Sequence, residues 1–403
     1  MAIISLFSAA FCHGDEIADA LVREQGLSLI DANLLGKAAQ QFGTPQDKLL
    51  RAMEGPPFVF NKFTRKRELL LTQIKTALAE MLSDRQIIHG YAAHLVPANI
   101  KHVLRVCLLA DPEWRAEQIV HERNASLPDA RNLVREEDHK RAQWTQLLFK
   151  APPWDKTLYD VKIPLNATGI DGAVKLIAEH AGKEVLAYSE AARNSLQDFS
   201  IAARSEMALV KAKHYHTVSC TEGVVNVIVN EYVILLERLE SDIKRILKKV
   251  EGVSEVRVKT GPNYRPSSVF ANVDFELPEK VLLVDDEKDF VMTLSERLQM
   301  RDLQPATAYS GEDALNLIKE ETPDVIVLDL KMPGIDGFDV LKQVKTEHPE
   351  VEVIILTGHG NEKDKELCME LGAFAYLEKP VDIDVLSDVI KRANESIRAH
   401  RDQ

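Results

Sequence analysis

Over residues 1 to about 180, short apolar runs alternate with longer amphipathic stretches. AIISLF (2–7) is continuously apolar enough for a buried strand, and DEIADALVREQG (15–26) follows at helical spacing. RQIIHG (85–90) and HVLRVCLLA (102–110) are again short β-rich runs. Asp111-Pro112-Glu113 then predicts a helix start: Asp caps, Pro suits the first turn, and Glu suits the positive end of the dipole. That helix runs through WRAEQIVHERN (114–124). Strands alternating with helices predict an α/β layer around a largely parallel sheet.

Residues 183–213 are polar with a helical pattern and suggest a connector. HTVSCTEGVVNVIVN (216–230) has two strand-like runs broken by Glu222-Gly223, a hairpin signal. YVILLERLESDIKRILKKV (232–250) places Leu235, Leu239, Ile243, Ile246 and Leu247 at helical spacing. SEVRVKTG (254–261) and SSVFANVDFEL (267–277) alternate as strands, with Gly261-Pro262-Asn263 as a turn. Beyond residue 280 the pattern changes to KVLLVDD, DVIVLDL, VEVIILTG and AFAYLEKP, each an apolar strand that ends in polar residues, with helical stretches between them.

Composition narrows the function classes. The chain has 403 residues, 45% of them hydrophobic and 28% charged, with a formal net charge of -13. An acidic chain is poorly suited to indiscriminate binding of nucleic-acid phosphates, so no DNA partner is expected. Cys12, Cys107, Cys220 and Cys368 are far apart and form no CxxC pair, which fits a reducing cytoplasm. The apolar start lacks a basic flank and is interrupted by Asp15 and Glu16, so it is expected to be a buried strand rather than a signal peptide. No apolar run is long enough to predict a membrane span.

In open α/β sheets, sites lie beyond the carboxyl ends of the strands. Here those ends carry Asp285 and Asp286, then Asp329, then Thr357, then Lys379. Three carboxylates brought close together repel unless a divalent cation joins them, and Mg²⁺ suits oxygen ligands shared with a phosphate. A carboxylate is a competent nucleophile toward an activated phosphoryl group. The Lys379 ammonium and the Thr357 hydroxyl can then meet the phosphoryl oxygens. Tyr376, three residues before Lys379, points to the opposite side of a regular strand. It is expected to pack inward when Thr357 moves toward the phosphate.

LLVDDEKDF, VIVLDLKMPGIDGFDVL, VIILTGHG and GAFAYLEKP resemble the successive motifs of the response-regulator receiver family over about residues 280–400. The resemblance implies a doubly wound five-stranded domain with Asp329 as phosphoacceptor. It implies Mg²⁺ held by Asp285, Asp286, Asp329 and the Lys331 carbonyl, with Thr357 and Tyr376 as the switch pair. It also implies a cis peptide at Lys379-Pro380, and a sensor histidine kinase or phosphotransfer protein as partner.

The first region resembles the cytidylate-kinase-like family of P-loop proteins over roughly residues 1–180, through AIISLFSAAFCHGDEIADALVREQGLSLIDANLL, RQIIHGYAAHLVP, RVCLLADPEWRAEQIVHERN, EEDHKRAQW and WDKTLYDVKIPLNATGIDGAVKLI. By that likeness Arg115 and Arg123 line a lid, and Asp138 and Arg141 lie near the phosphates of ATP or CMP. The chain departs from the pattern at two places. His13-Gly14-Asp15 stands where a glycine-rich run is expected, and Tyr91-Ala92 where an arginine beside glycine is favoured. Both changes remove phosphate-binding capacity. The helical spacings also allow Arg115, Arg123 and Arg141 to pair with Glu117, Glu122 or Glu137. The middle region resembles the small α/β domain of bacterial periplasmic lipid-contacting proteins such as OsmY, and as a plain module it would be a spacer or dimerisation unit, so a homodimer is allowed.

The expected organisation is therefore a kinase-like parallel-sheet domain at 1–182, a helical connector at 183–213, a small α/β module at 214–277 and a receiver at 278–403. The expected function is Mg²⁺-dependent phosphoryl acceptance coupled to a catalytically weak or inactive kinase-like output domain. The alternative is a receiver-regulated, ATP-dependent nucleoside monophosphate (cytidylate) kinase.

Overall fold

The computed structural model describes all residues except 1, 31, 56, 57, 59, 231, 232, 234, 263, 265–279, 302, 304, 359, 360, 402 and 403. The run at 267–277 that reads as a strand therefore lies outside the described residues. The chain forms two compact units, one of residues 1–56 and 67–268, the other of residues 57–66 and 269–403.

The first unit is built on a five-stranded parallel sheet, β1 (Ile3–Ser8), β2 (Ser28–Ile30), β3 (Gln86–His89), β4 (Val103–Leu109) and β5 (Val161–Pro164), in the order β2-β3-β1-β4-β5. β1 lies at the centre, and all six of its residues are buried. That is why it is a continuous apolar run rather than an alternating one. Each of its large side chains stabilises the fold by roughly 1.5–3 kcal/mol. The helices Gly14–Gln25 and Leu165–Ala181 cover one face, burying Ile17, Leu21, Val174 and Ile177 against Ile4, Leu6 and Val106. The Asp111 cap forms as the residues predict: its side chain accepts from the Glu113 N–H at 3.0 Å, with Pro112 in the first turn of the helix Pro112–Arg123.

The same unit contains a second, three-stranded sheet of β6 (Thr217–Thr221), β7 (Val224–Val229) and β8 (Glu255–Thr260). β6 and β7 form an antiparallel hairpin, and β7 pairs in parallel with β8 across the helix Leu236–Leu247. The hairpin turn needs positive φ at both central residues, and Glu222 (φ 53°) and Gly223 (φ 77°) supply it. The carboxylate of Asp198 accepts from both turn amides, at 2.8 and 2.9 Å. Asp198 lies on the helix Glu190–Lys211, whose Ile201, Ala202 and Leu209 share a core with Val225, Val227, Ile243 and Leu247. The helix that reads as a connector thus supplies one wall of this module. The next helix starts at Leu236, and Leu235, which the spacing assigns to its apolar face, is 59% exposed.

His94 sits in an aromatic cluster, its ring centroid 4.2 Å from that of Phe7 and 5.3 Å from that of Phe149. Its Nε2 is 3.1 Å from the Tyr159 hydroxyl, and Nδ1 is buried with no partner among the described residues. Burial pushes the imidazole down to about 3. The unfolded chain takes up this proton near its ordinary value of about 6.5, whereas the folded chain resists it. Stability therefore falls as pH drops through that window, by up to ~1.4 kcal/mol per pH unit. His94→Phe is expected to flatten the pH dependence of the urea unfolding free energy between about pH 6 and pH 4. Equal slopes in the two proteins would contradict this.

The second unit is a doubly wound parallel sheet of β9 (Val281–Val284), β10 (Ala306–Ala308), β11 (Val325–Leu328), β12 (Glu352–Thr357) and β13 (Ala375–Glu378), ordered β10-β9-β11-β12-β13. β9 and β11 are buried at every residue, with helices on both faces. Residues 57–66 belong to this unit: Phe60 is 1% exposed within its core, and Lys66 Nζ lies 3.7 Å from the Glu321 carboxylate. Nothing in the local sequence announces that insertion.

Candidate functional site

The C-terminal edge of the second sheet gathers the charged groups that the strand ends predict. Asp285 and Asp286 follow β9, Asp329 follows β11, Thr357 ends β12 and Lys379 follows β13. Backbone bonds pin these turns together: Asp329 N donates to Val284 O at 2.9 Å, and Lys379 N to Thr357 O at 2.9 Å. Carboxylate oxygens of Asp285, Asp286 and Asp329 all lie within 4.8 Å of one another. Asp285 and Asp329 are buried (5% and 6% exposed), while Asp286 faces solvent.

Lys379 holds the cluster together. Its Nζ donates to Asp285 Oδ2 at 2.5 Å and lies 3.6 Å from Asp329 Oδ1. Glu287, which the motif reading passes over although it is the third acid in Asp285-Asp286-Glu287, reaches Nζ at 3.5 Å. Burial, with the Asp329 charge behind it, leaves the Asp285 carboxyl above its usual range despite Lys379. Burial also opposes the charge on Lys379, but the hydrogen bond to Asp285 and the three nearby carboxylates outweigh it and raise its pKa. Two buried carboxylates and a third beside them face, among the described residues, the one ammonium of Lys379. That excess negative charge, on oxygen donors alone, is the chemistry that suits a divalent cation.

Asp329 keeps its geometry through the Lys331 N–H, which donates to Oδ2 at 3.0 Å. Thr357 is 1% exposed. Tyr376 packs against the core, and its hydroxyl is buried without a hydrogen-bond partner among the described residues. Lys379-Pro380 is cis.

In the first unit, a cavity of about 490 Å³ opens beyond the ends of β1 and β3. Its lining includes the loop Ser8–Glu16, with Phe11 and His13 in left-handed conformations, together with His89, Arg123, Glu137 and Arg141. The four residues assigned to nucleotide binding separate here. Arg123 and Arg141 line the cavity. Arg115 is 2% exposed and forms a bidentate pair with Asp138, at 2.8 and 2.7 Å, while Nη1 also donates to Ala10 O at 3.3 Å. The spacing suggests a helical partner for Arg115, whereas the observed partner is 23 residues away on the next helix. Arg141 does take its i−4 partner, Glu137, at 2.9 Å, and donates to Ser8 O at 2.9 Å. Arg123 lies over the Phe11 ring, 5.3 Å from its centroid. Tyr91, at the position where the resemblance favours arginine, is buried beneath the Arg141 guanidinium.

Ser8 and His89 also meet in this cavity, and motif reading misses them. The available signal was a polar residue closing each of two buried strands, IISLF-Ser8 and QII-His89.

Residues 281–391 match the family of response regulator receiver domains, and residues 3–166 match the cytidylate kinase-like family. Sporulation initiation phosphotransferase F of Bacillus subtilis is 37% identical over 114 residues, 28% of this chain and 92% of that protein. The probable transcriptional regulator ycf27 of Guillardia theta is 39% identical over 129 residues, 31% of this chain and 50% of that protein. Among solved structures, a response regulator receiver domain protein from Clostridium thermocellum is 36% identical, with a TM-score of 0.29, covering 30% of this chain and 97% of that one. The five-stranded parallel sheet, the acids and lysine at its edge and the 92% coverage of a receiver-sized relative agree: the chain belongs to the response-regulator receiver family, with a cytidylate-kinase-like domain ahead of the receiver.

Proposed function

We propose that this response regulator accepts a phosphoryl group on Asp329 from a sensor histidine kinase or phosphotransfer protein, and that the phosphate biases a kinase-like output domain with weak or no nucleotide chemistry of its own. The observation that carries the first half is the position of Lys379 Nζ, 2.5 Å from Asp285 and 3.6 Å from Asp329. An ammonium there can follow a phosphoryl oxygen once it arrives, while Asp329 presents its carboxylate as nucleophile. The new bond joins an Asp329 carboxylate oxygen to phosphorus, and the bond from phosphorus to the donor's nitrogen or oxygen breaks. Asp285, Asp286 and Asp329, with the Lys331 carbonyl, would hold Mg²⁺. When bound, it would offset the negative charge that gathers on the phosphoryl oxygens.

The switch follows from Thr357 and Tyr376. A buried hydroxyl that finds no partner among the described residues, as that of Tyr376, is unfavourable and is relieved by a rearrangement that supplies one. Movement of Thr357 toward the phosphate would open that space.

Weak nucleotide chemistry follows from charge. Asp15, Glu16, Glu122 and Glu137 line the N-terminal cavity against Arg123 and Arg141, and Arg141 is already engaged by Glu137 and Ser8. A polyphosphate would meet repulsion where it needs donors. A boundary near residue 182, a small α/β module that takes in the helix Glu190–Lys211 and extends to about residue 277, a receiver beyond it and a reducing cytoplasm belong to the same proposal. Among the described residues all four cysteines are free and buried, and no helix is long and apolar enough to cross a membrane.

The test is phosphoryl uptake from acetyl phosphate by the full chain. Lys379→Ala is expected to slow it about 10²–10³-fold, and removal of Mg²⁺ with EDTA is expected to abolish it. Uptake at the parental rate in either case would contradict the assignment. Calorimetry of the full chain with ATP, CMP and Mg²⁺ is expected to show no binding at millimolar ligand. Saturable heat would instead favour the nucleoside monophosphate kinase reading.

A further inference from the structure

Three side chains at the mouth of the N-terminal cavity form a relay that nucleotide binding does not explain. Ser8 ends β1, His89 ends the neighbouring strand β3, and Asp15 lies in the first turn of the helix Gly14–Gln25. Ser8 Oγ is 3.5 Å from His89 Nε2, and His89 Nδ1 is 3.1 Å from Asp15 Oδ1. All three line the same cavity of about 490 Å³.

The contacts fix the tautomer. Nδ1 carries the proton and donates it to Asp15, so Nε2 is left to accept from the Ser8 hydroxyl. The hydrogen bond from His89 holds the Asp15 carboxyl below its usual range, although burial opposes this. Gly14 makes room for the arrangement. A Cβ at that position would lie 2.5 Å from His89 Nε2 and 2.7 Å from Ser8 Oγ, so any side chain there would push the two apart. The Ser8 carbonyl is held in turn by Arg141 Nε. The first turn of a twelve-residue helix borders the same space, and its leading N–H groups have no partners within the helix.

We propose that Ser8, His89 and Asp15 act as a nucleophile, general base and orienting carboxylate that hydrolyse small carboxylic esters bearing no negative charge in this cavity. Ser8 Oγ attacks the ester carbonyl while His89 Nε2 takes its proton. The carbonyl–alkoxy bond breaks, and His89 returns the proton to the departing alcohol, leaving an acyl group on Ser8. Water then attacks that acyl group, its proton passing to His89 and back to Ser8 as the carboxylic acid leaves. Helix-terminal N–H groups are suited to meet the charge that develops on the carbonyl oxygen. The acids around the mouth, in excess over Arg123 and Arg141, disfavour an anionic substrate. Asp15, whose side chain is 94% exposed, is a positioning residue.

The full chain should be treated with a fluorophosphonate probe and its peptides mapped, and its hydrolysis of p-nitrophenyl acetate measured. The expected result is a label on Ser8, absent in Ser8→Ala. His89→Gln should slow labelling and hydrolysis by at least about 100-fold. Asp15→Asn should lower kcat with KM unchanged, and Asp15→Glu should recover most of it. Circular dichroism confirms that each variant is folded. If the unmodified chain takes no label on Ser8, or if folded His89→Gln labels at the parental rate, the proposal is wrong.

Discussion

Asp329→Asn is expected to take up no phosphoryl group from acetyl phosphate and to be at least as stable as the parent chain. The amide has the size and shape of the carboxylate, so packing at a position only 6% exposed is preserved. The Lys331 N–H can still donate to the side-chain oxygen that replaces Oδ2. What disappears is the nucleophile and one of three converging negative charges. The Asp329 charge is among the causes that raise the Asp285 pKa, so its loss lowers the repulsion in the metal-free chain. Uptake and urea unfolding should therefore move independently, with uptake falling to background and stability holding or rising. A variant that unfolds earlier, or that still takes up phosphate, would refute this assignment of roles.

Asp138→Ala is expected to destabilise the first unit by ~3 kcal/mol, the lower end for removing one partner of a buried pair. The lower end applies because the Asp138 side chain is 26% exposed, whereas that of Arg115 is 3% exposed. Deleting the carboxylate leaves a largely buried guanidinium with, among the described residues, only the Ala10 carbonyl at 3.3 Å to accept from it. That carbonyl belongs to the loop lining the cavity, so the loop should loosen as well. Equilibrium urea unfolding measures the effect, and Asp138→Asn should recover part of the loss. If Asp138 served a bound nucleotide rather than Arg115, its removal would leave unfolding of the ligand-free chain unchanged.

Much of the receiver is legible in the sequence because its chemistry is local to strand ends. Buried parallel strands are runs of apolar residues, and the residue that breaks each run marks the sheet edge, as Asp285, Asp329 and Thr357 do, while Lys379 comes one residue after Glu378 breaks its run. β10 has no such signature: Ala306–Ala308 is three residues long, too short for any period to show. Capping at Asp111 and the Glu222-Gly223 turn were readable because each depends on a few adjacent residues. Leu235 misled because helical spacing says nothing about where a helix starts.

Long-range pairings were hidden for the opposite reason. Arg115 has acids at helical spacing, and only the packing of two helices shows that Asp138 takes it instead. Phe60 is separated by more than two hundred residues of sequence from the core that buries it. Ser8 and His89 are 81 residues apart and meet because β1 and β3 are neighbours in a sheet whose strand order the sequence does not state.

The central claim, that the carboxylate of Asp329 takes the phosphate, is tested most directly by locating the adduct. The full chain is treated with acetyl phosphate and Mg²⁺, and the acyl phosphate is mapped by tandem mass spectrometry. A single adduct on Asp329 is the predicted result. An adduct on any other residue, or no adduct in a chain that binds Mg²⁺, would contradict it.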